Sequence, residues 1–496
     1  MSASNQHPTI PPGSGALFFI QTFSTLGFAV LYSTLVLYAT KRLGFSESQA
    51  NAMMGVFGAF NYGLHLFGGY LGGRYLSNRN LFVMGMVLQV IGCYFIAEMG
   101  ITGLYWGLAM FLTGSGLNVT CLNMMLTQRF APDDHRRESA FLWNYAGMNL
   151  GFFIGFSVAG YFQLTEDYRT LFLFATLGNI IAIIATFACW PILADISTPL
   201  RHVKGSGFYR RMLAGIAILA MLVPALRLLL THASFSGSFV LILGAVVLVL
   251  LCVMTARHPD AAERSRMVAY LILALGSLIF WSLYQLAPMG LMLFSEHNIN
   301  LNVFGLRVAP QWIQNINTLV IVIGGPLMAL LFKRLREQGW NIDIPSQFAA
   351  SLFCMGLGML VLPIGIHLAQ GADGLVAFKW IAISYVLQSF GELLISPIGY
   401  AMIGKLAPAS LQGLLMGCWM MVTGVASVLA GYVSSAMPQN IGSTPVATNP
   451  GYSSVFNMLG WGSLAGGIVL LLLVPRLRLL IASKITPQPA ATAIPV

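Results

Sequence analysis

What most constrains this chain is the recurrence of apolar runs long enough to cross a bilayer. Crossing roughly 30 Å of hydrocarbon takes about 20 apolar residues. Such runs fall at 16–40, 50–72, 80–99, 102–127, 139–163, 170–192, 211–230, 236–255, 267–294, 312–332, 347–369, 376–402, 410–434 and 454–476. Hydrocarbon offers no water to backbone amides and carbonyls, so each run must satisfy its own as a helix. Fourteen spanning helices with short polar joints are expected. A soluble alternative is excluded by composition: with 57% hydrophobic and 8% charged residues in 496, too few polar side chains exist to clothe a water-facing surface.

The formal net charge of +10 would suit a nucleic-acid partner, but its distribution points to the lipid bilayer instead. With the amino terminus in the cytoplasm, only Lys41, Arg42, Arg169, Arg307 and Lys379 of the 25 Lys and Arg fall outside, and Arg227 falls in a span. All the others are cytoplasmic, which predicts an inner-membrane protein with both termini in the cytoplasm. The start, MSASNQHPTIPPGSG, has His7 as its one ionisable side chain and lacks a basic region before a short apolar core, so no cleaved signal peptide is expected. Cys93, Cys121, Cys189, Cys252, Cys354 and Cys418 stand singly within spans and read as packing residues. No metal site and no cofactor is expected.

The spans group as six, two and six. A basic stretch at 195–211 follows the sixth, and the seventh and eighth form a hairpin joined at THASFSG. The expected units are a six-helix bundle at 1–192, a cytoplasmic linker and hairpin at 193–262, and a second six-helix bundle at 263–496. This is the major facilitator arrangement, in which two halves rock about a site near the midplane. The fold class is therefore an all-α membrane protein of major facilitator type with 14 transmembrane helices. Gly63, Gly68, Gly72, Gly147 and Gly151 are spaced to let helices approach closely.

A carboxylate at mid-membrane depth is costly and marks a functional candidate. Of the 15 acidic residues only Glu392, in YVLQSFGELLISPIGY, maps to the middle of a span. Pro397 and Gly399 after it predict a weakened helix where a site would need irregular backbone. The structural alternative is a protonated carboxyl bonded to a neighbouring helix. His65, three residues after Tyr62, is either a proton shuttle or a neutral histidine donating to a carbonyl. Gln285, with Pro288 in FWSLYQLAPMG, and Asn317 offer amides that either line a cavity or join helices.

These residues carry a resemblance. LQSFGELLISPIGYAMIGKLAP and LQGLLMGCWMMVTGVASVLAGYV resemble the tenth and eleventh core helices of the proton-coupled oligopeptide transporter family. FWSLYQ, NTLVIVIGGP, FNYG and WNYAGMNLGFFIG resemble its seventh, eighth, second and fifth. The resemblance implies Glu392 as receiver of the peptide amino terminus and proton candidate, with Ser396, Trp419, Asn317, Gln285, Tyr62 and Asn149 around the substrate and His65 as a second proton candidate. The first half departs from the family. Where a Glu-x-x-Glu-Arg motif is expected, this chain has Gln21, Ser24 and Thr25; the fourth-helix lysine is Val119, and the aspartate after the second helix is Gly73.

The expected function is proton-coupled uptake of small peptides or peptide-like amines by a monomer. The alternative is a diverged carrier for a siderophore-like or antibiotic-like, drug-like compound, loosely coupled or uncoupled. A membrane enzyme would need a surface cluster of acids, bases or ligands; the nearest stretch, APDDHRRE at 131–138, reads as a solvated gating loop. A scaffold or sensor would lack a sizeable soluble domain to signal through.

Overall fold

The computed structural model describes residues 13–482 apart from 132, 133, 135, 341, 370, 372, 409, 410 and 441. His7, Pro132, Asp133, His135 and Lys484 lie outside the described residues. The first half comprises α1 (Ser14–Lys41), α2 (Glu47–Leu71), α3 (Asn78–Glu98), α4 (Gly100–Thr127), α5 (Arg136–Gln163) and α6 (Tyr168–Ala188). A hairpin of α7 (Ser206–Thr231) and α8 (Ala233–Ala256) follows. The second half comprises α9 (Ala261–Tyr284), the short α10 (Gly290–Asn298), α11 (Pro310–Glu337), α12 (Ile344–His367), α13 (Phe378–Leu406), α14 (Gln412–Ser435) and α15 (Pro445–Ala482). The strands among the described residues are four of two residues each, in the 299–307 connection and at Val376–Ala377.

Twelve of these helices are long and apolar enough to cross a membrane; α2, α5 and the nine-residue α10 fall outside that set. The two long exceptions have a common cause. Helix α2 packs on α14 and α5 packs on α11, each across the seam between halves, so their polar residues meet protein rather than lipid. Helix starts are fixed by side-chain caps: Ser46 and Gln49 form a capping box at α2, and Asp260 and Asp343 accept the first free amides of α9 and α12.

Several sequence expectations are corrected. The run 267–294 is not one helix: α9 stops at Tyr284, and four turn residues after its cap Gln285 precede α10. Conversely, α13 continues through Pro397 to Leu406, so the irregular backbone lies at 285–289 and not after Glu392. A proline mid-helix removes one amide donor, which a helix embedded among neighbours tolerates. The hairpin turn shrinks to His232, because α8 already begins at Ala233. Gly63 meets nothing within 4 Å, whereas Gly68 packs on Leu117, Gly72 on Asn78, Gly147 on Phe18 and Gly151 on Thr22. Cys252 is exposed on α8 rather than packed.

The hydrogen bonds joining the two halves, among the described residues, lie from mid-depth to the end opposite the termini, here called the distal end. Trp312 Nε1 donates to the Ser157 carbonyl at 2.9 Å, Asn315 Nδ2 to Ser157 Oγ at 3.0 Å and Gln311 Nε2 to Gln163 Oε1 at 3.0 Å. Lys41 pairs with Glu296 and with Glu166. Glu47 accepts from the Asn440 amide at 2.9 Å. Glycines make the seam close: Gly431 Cα lies 3.3 Å from where a Gly55 Cβ would stand, and a Cβ on Gly160 would meet Trp312 at 2.2 Å.

Candidate functional site

Mid-depth in the second half, Glu392 on α13 is buried to 8% exposure. Asn317, on α11, donates its Nδ2 to Glu392 Oε2 at 2.7 Å and to Ser389 Oγ at 3.0 Å. Ser389 lies three residues before Glu392, hence on the same face of α13, and its hydroxyl donates to the Tyr385 carbonyl. Tyr284, at the end of α9, lies beside the same carboxyl. Among the described residues no Lys, Arg or His is paired with Glu392. Its donor is a neutral amide, which can satisfy a carboxyl in either protonation state and leaves room for a proton or an amine.

The next residue along the chain faces the other half. Gln285 Oε1 accepts from the Tyr32 hydroxyl of α1 at 3.2 Å, and Gln285 Nε2 donates to the Tyr62 hydroxyl of α2 at 3.1 Å. Its amide is 1% exposed. The Tyr284 ring is held by Trp281, edge to face at 5.4 Å, and by Phe280, stacked at 6.1 Å.

The structure thus brings Glu392, Asn317, Gln285 and Tyr62 into one group, and it places the other expected residues elsewhere. Asn149 Nδ2 donates to the Tyr145 carbonyl on its own helix at 2.9 Å. Trp419 is 3% exposed and wedged against Gly399, where an added Cβ would meet its ring at 2.2 Å. Ser396 is half-buried one turn beyond Glu392. His65 sets its ring edge-on to Tyr62 at 5.8 Å, but its Nε2 has no partner, so it does not donate to a carbonyl through that atom.

On α1, the positions where charges were expected form a neutral seam. Gln21 Nε2 donates to Thr25 Oγ1 at 2.9 Å, Thr25 and Ser24 donate back to the Gln21 carbonyl, and Asn144 Nδ2 of α5 reaches Gln21 Oε1 at 3.4 Å. All four are under 9% exposed.

A family model described as the POT family matches residues 79–448. The chain belongs to the POT family. As a POT-family chain it is 30% identical over 477 residues to a dipeptide and tripeptide permease B of Salmonella typhimurium, covering 95% of this chain and 96% of the relative. It is 28% identical to dipeptide and tripeptide permease A of Escherichia coli K12, with both chains covered in full. A solved structure of a peptide transporter POT in complex with sulfate superimposes with a TM-score of 0.83 at 27% identity, covering 97% of each chain. The fold is thus the major facilitator fold of two six-helix bundles with an inserted hairpin in a multi-pass membrane transporter.

Sequence reading missed Tyr32, Tyr284, Ser389 and Asn144. The signals were present: Tyr32 falls seven residues after Thr25 on the same face of α1, and Ser389 falls three before Glu392.

Proposed function

We propose that this POT-family chain carries small peptides or peptide-like amines across the bacterial inner membrane by alternating access, coupled to protons and acting as a monomer. The observation that carries this reading is Glu392, buried at mid-helix with the neutral Asn317 as its donor and, among the described residues, paired with no cation. A carboxylate there gains several kcal/mol from a proton or a substrate ammonium group, because hydrocarbon and packed protein solvate its charge poorly. The permease names of the relatives support a peptide substrate.

In this reading Glu392 receives the amine, with Asn317, Gln285 and Tyr62 as its neighbours and Ser396, Trp419 and Asn149 as outlying members of the substrate wall. Glu392 carries the proton, with His65 as a second candidate. Both termini are cytoplasmic, on the positive-inside argument, so the bonded distal end faces outward and the conformation is closed to the outside. Residues 1–192 and 263–496 are the rocking units, with 193–262 between them.

A second reading is favoured by the α1 seam. Gln21, Ser24, Thr25 and Val119 offer a substrate carboxylate no cation, and Arg227, in the hairpin, lies over the Trp106 ring of α4, 4.7 Å from its centroid. The preferred ligand is therefore cationic or has a blocked or absent carboxylate, and a drug-like amine fits as well as a peptide. Uptake of labelled dipeptides into proteoliposomes, with and without an imposed proton gradient, tests the main reading. Equal, saturable uptake under both conditions would remove proton coupling, and no uptake would remove the peptide.

A further inference from the structure

The neutral seam on α1 has a direction. The Gln21 carbonyl can only accept, so the Thr25 hydroxyl, 2.8 Å away, donates to it and thereby uses its one proton. The Thr25 oxygen is then an acceptor for the Gln21 side chain at 2.9 Å, which must present its amide nitrogen there. Gln21 Oε1 is left to face α5, where Asn144 meets it at 3.4 Å with its own amide nitrogen. The order of the bonds thus fixes which end of each amide lies where. The chain ends on Asn144 Oδ1, a buried acceptor without a partner, on a residue that is 7% exposed.

This seam lies on the stripe of α1 that leads to the group around Glu392. Gln21, Thr25, Phe28 and Tyr32 follow one another at helical spacing on one face. Phe28 stacks on Tyr32 at 5.6 Å, and the Tyr32 hydroxyl bonds Gln285. By helix rise Thr25 stands about 10 Å from Tyr32, and an extended chain of three residues spans about the same. Asn179 also holds an unpartnered amide, but against Gly27, off that stripe. Along α5 the cation next to Asn144 is Arg137, nearer the helix start, with its guanidinium over the Phe141 ring at 5.9 Å.

We propose that Asn144 determines specificity at the end of the substrate remote from its amine, by accepting a hydrogen bond from an N–H or O–H donor carried there. The proposal rests on the reading of the chain as a carrier of peptide-like amines and sharpens it. A face without cations asks only for an end without charge; an unpartnered acceptor asks for a donor. The carboxamide of a peptide amide supplies one. An ester of similar size supplies none, and a carboxylate sets its own charge against the Asn144 oxygen. The fitting class is therefore a short peptide amide, or another amine whose far end carries an amide or hydroxyl group.

The test uses the full chain in lipid nanodiscs and calorimetric titration with three ligands that differ only at the far end: alanyl-alanine amide, alanyl-alanine methyl ester and free alanyl-alanine. The parent binds the amide about fivefold more tightly than the ester, the weight of one hydrogen bond, and the ester more tightly than the free acid. Asn144→Leu brings the amide-to-ester ratio to about one, while affinity for the ester changes by about twofold or less. Gln21→Met removes the acceptor that holds the Asn144 amide, lets that amide turn, and narrows the ratio too; it decides the matter if Asn144→Leu does not assemble. Equal affinity for amide and ester in the parent, or a ratio that survives Asn144→Leu, overturns the Asn144 subsite and leaves the amine-carrier reading standing. Tightest binding of the free acid removes the blocked-carboxylate reading, and no binding of any of the three removes the peptide reading; either takes the subsite with it.

Discussion

On α1, Gln21, Ser24 and Thr25 hydrogen-bond one another and Asn144 of α5; on α13, Glu392 accepts from Asn317 of α11, with Tyr284 of α9 beside it. Both faces are polar and buried to a similar extent. The first is saturated within its own half and leaves little for a ligand except the free Asn144 Oδ1. The second holds a carboxyl whose full charge neutral amides and hydroxyls cannot compensate. The difference teaches that, where first-helix charges were expected, the described residues form neutral α1/α5 packing, and the mid-span carboxyl lies in the other half.

The largest effect follows from removing that one carboxyl. Glu392→Gln should lower concentrative uptake by about two orders of magnitude, the range expected when a desolvated charge partner of an amine is lost, with membrane expression unchanged on immunoblots. A fully active variant would break the contrast by making Glu392 another packing residue.

Next in size is the consequence of the neutral α1 face. A dipeptide C-terminal amide should compete for uptake at least about tenfold better than the free acid, since a desolvated carboxylate without a partner costs several kcal/mol. Preference for the free acid would reveal a carboxylate site on the first half and erase the asymmetry.

Smaller changes sharpen the edges of the site. Asn317→Ala, Gln285→Ala and Tyr62→Phe should each raise the half-saturating concentration several-fold, about one hydrogen bond each. If all three reduce only the amount of folded protein, these side chains are helix glue.

Thr25→Val should change transport by about twofold or less but lower thermal stability in detergent, because Gln21 loses a buried partner worth about 1 kcal/mol. A loss of uptake at unchanged stability would return α1 to the substrate path. Asn149→Ala should have the least effect, within about twofold in uptake, since its amide serves its own helix.

Much of this was legible in sequence because it depends on local composition. Span-length apolar runs dictate helices wherever hydrocarbon is the solvent, the scatter of Lys and Arg sets the expected orientation, and a lone carboxylate such as Glu392 stands out because its insertion is costly. Tyr284 and Gln285 show what sequence could not give. They are neighbours in a quoted motif, yet only the packing of α1, α2, α9 and α13 sets one ring beside Glu392 and sends the other side chain's amide across the seam. The same holds for Pro288 and Pro397: each predicted irregular backbone, but α13 is held by α9, α11, α12 and α14 and stays helical, whereas the turn after Gln285 breaks. Sequence determined that the chain spans the membrane many times and keeps one acid in the middle of a span. Tertiary structure decided which polar groups satisfy one another and which remain for a ligand, because hydrogen bonds in a low-dielectric interior are made between helices far apart in the chain.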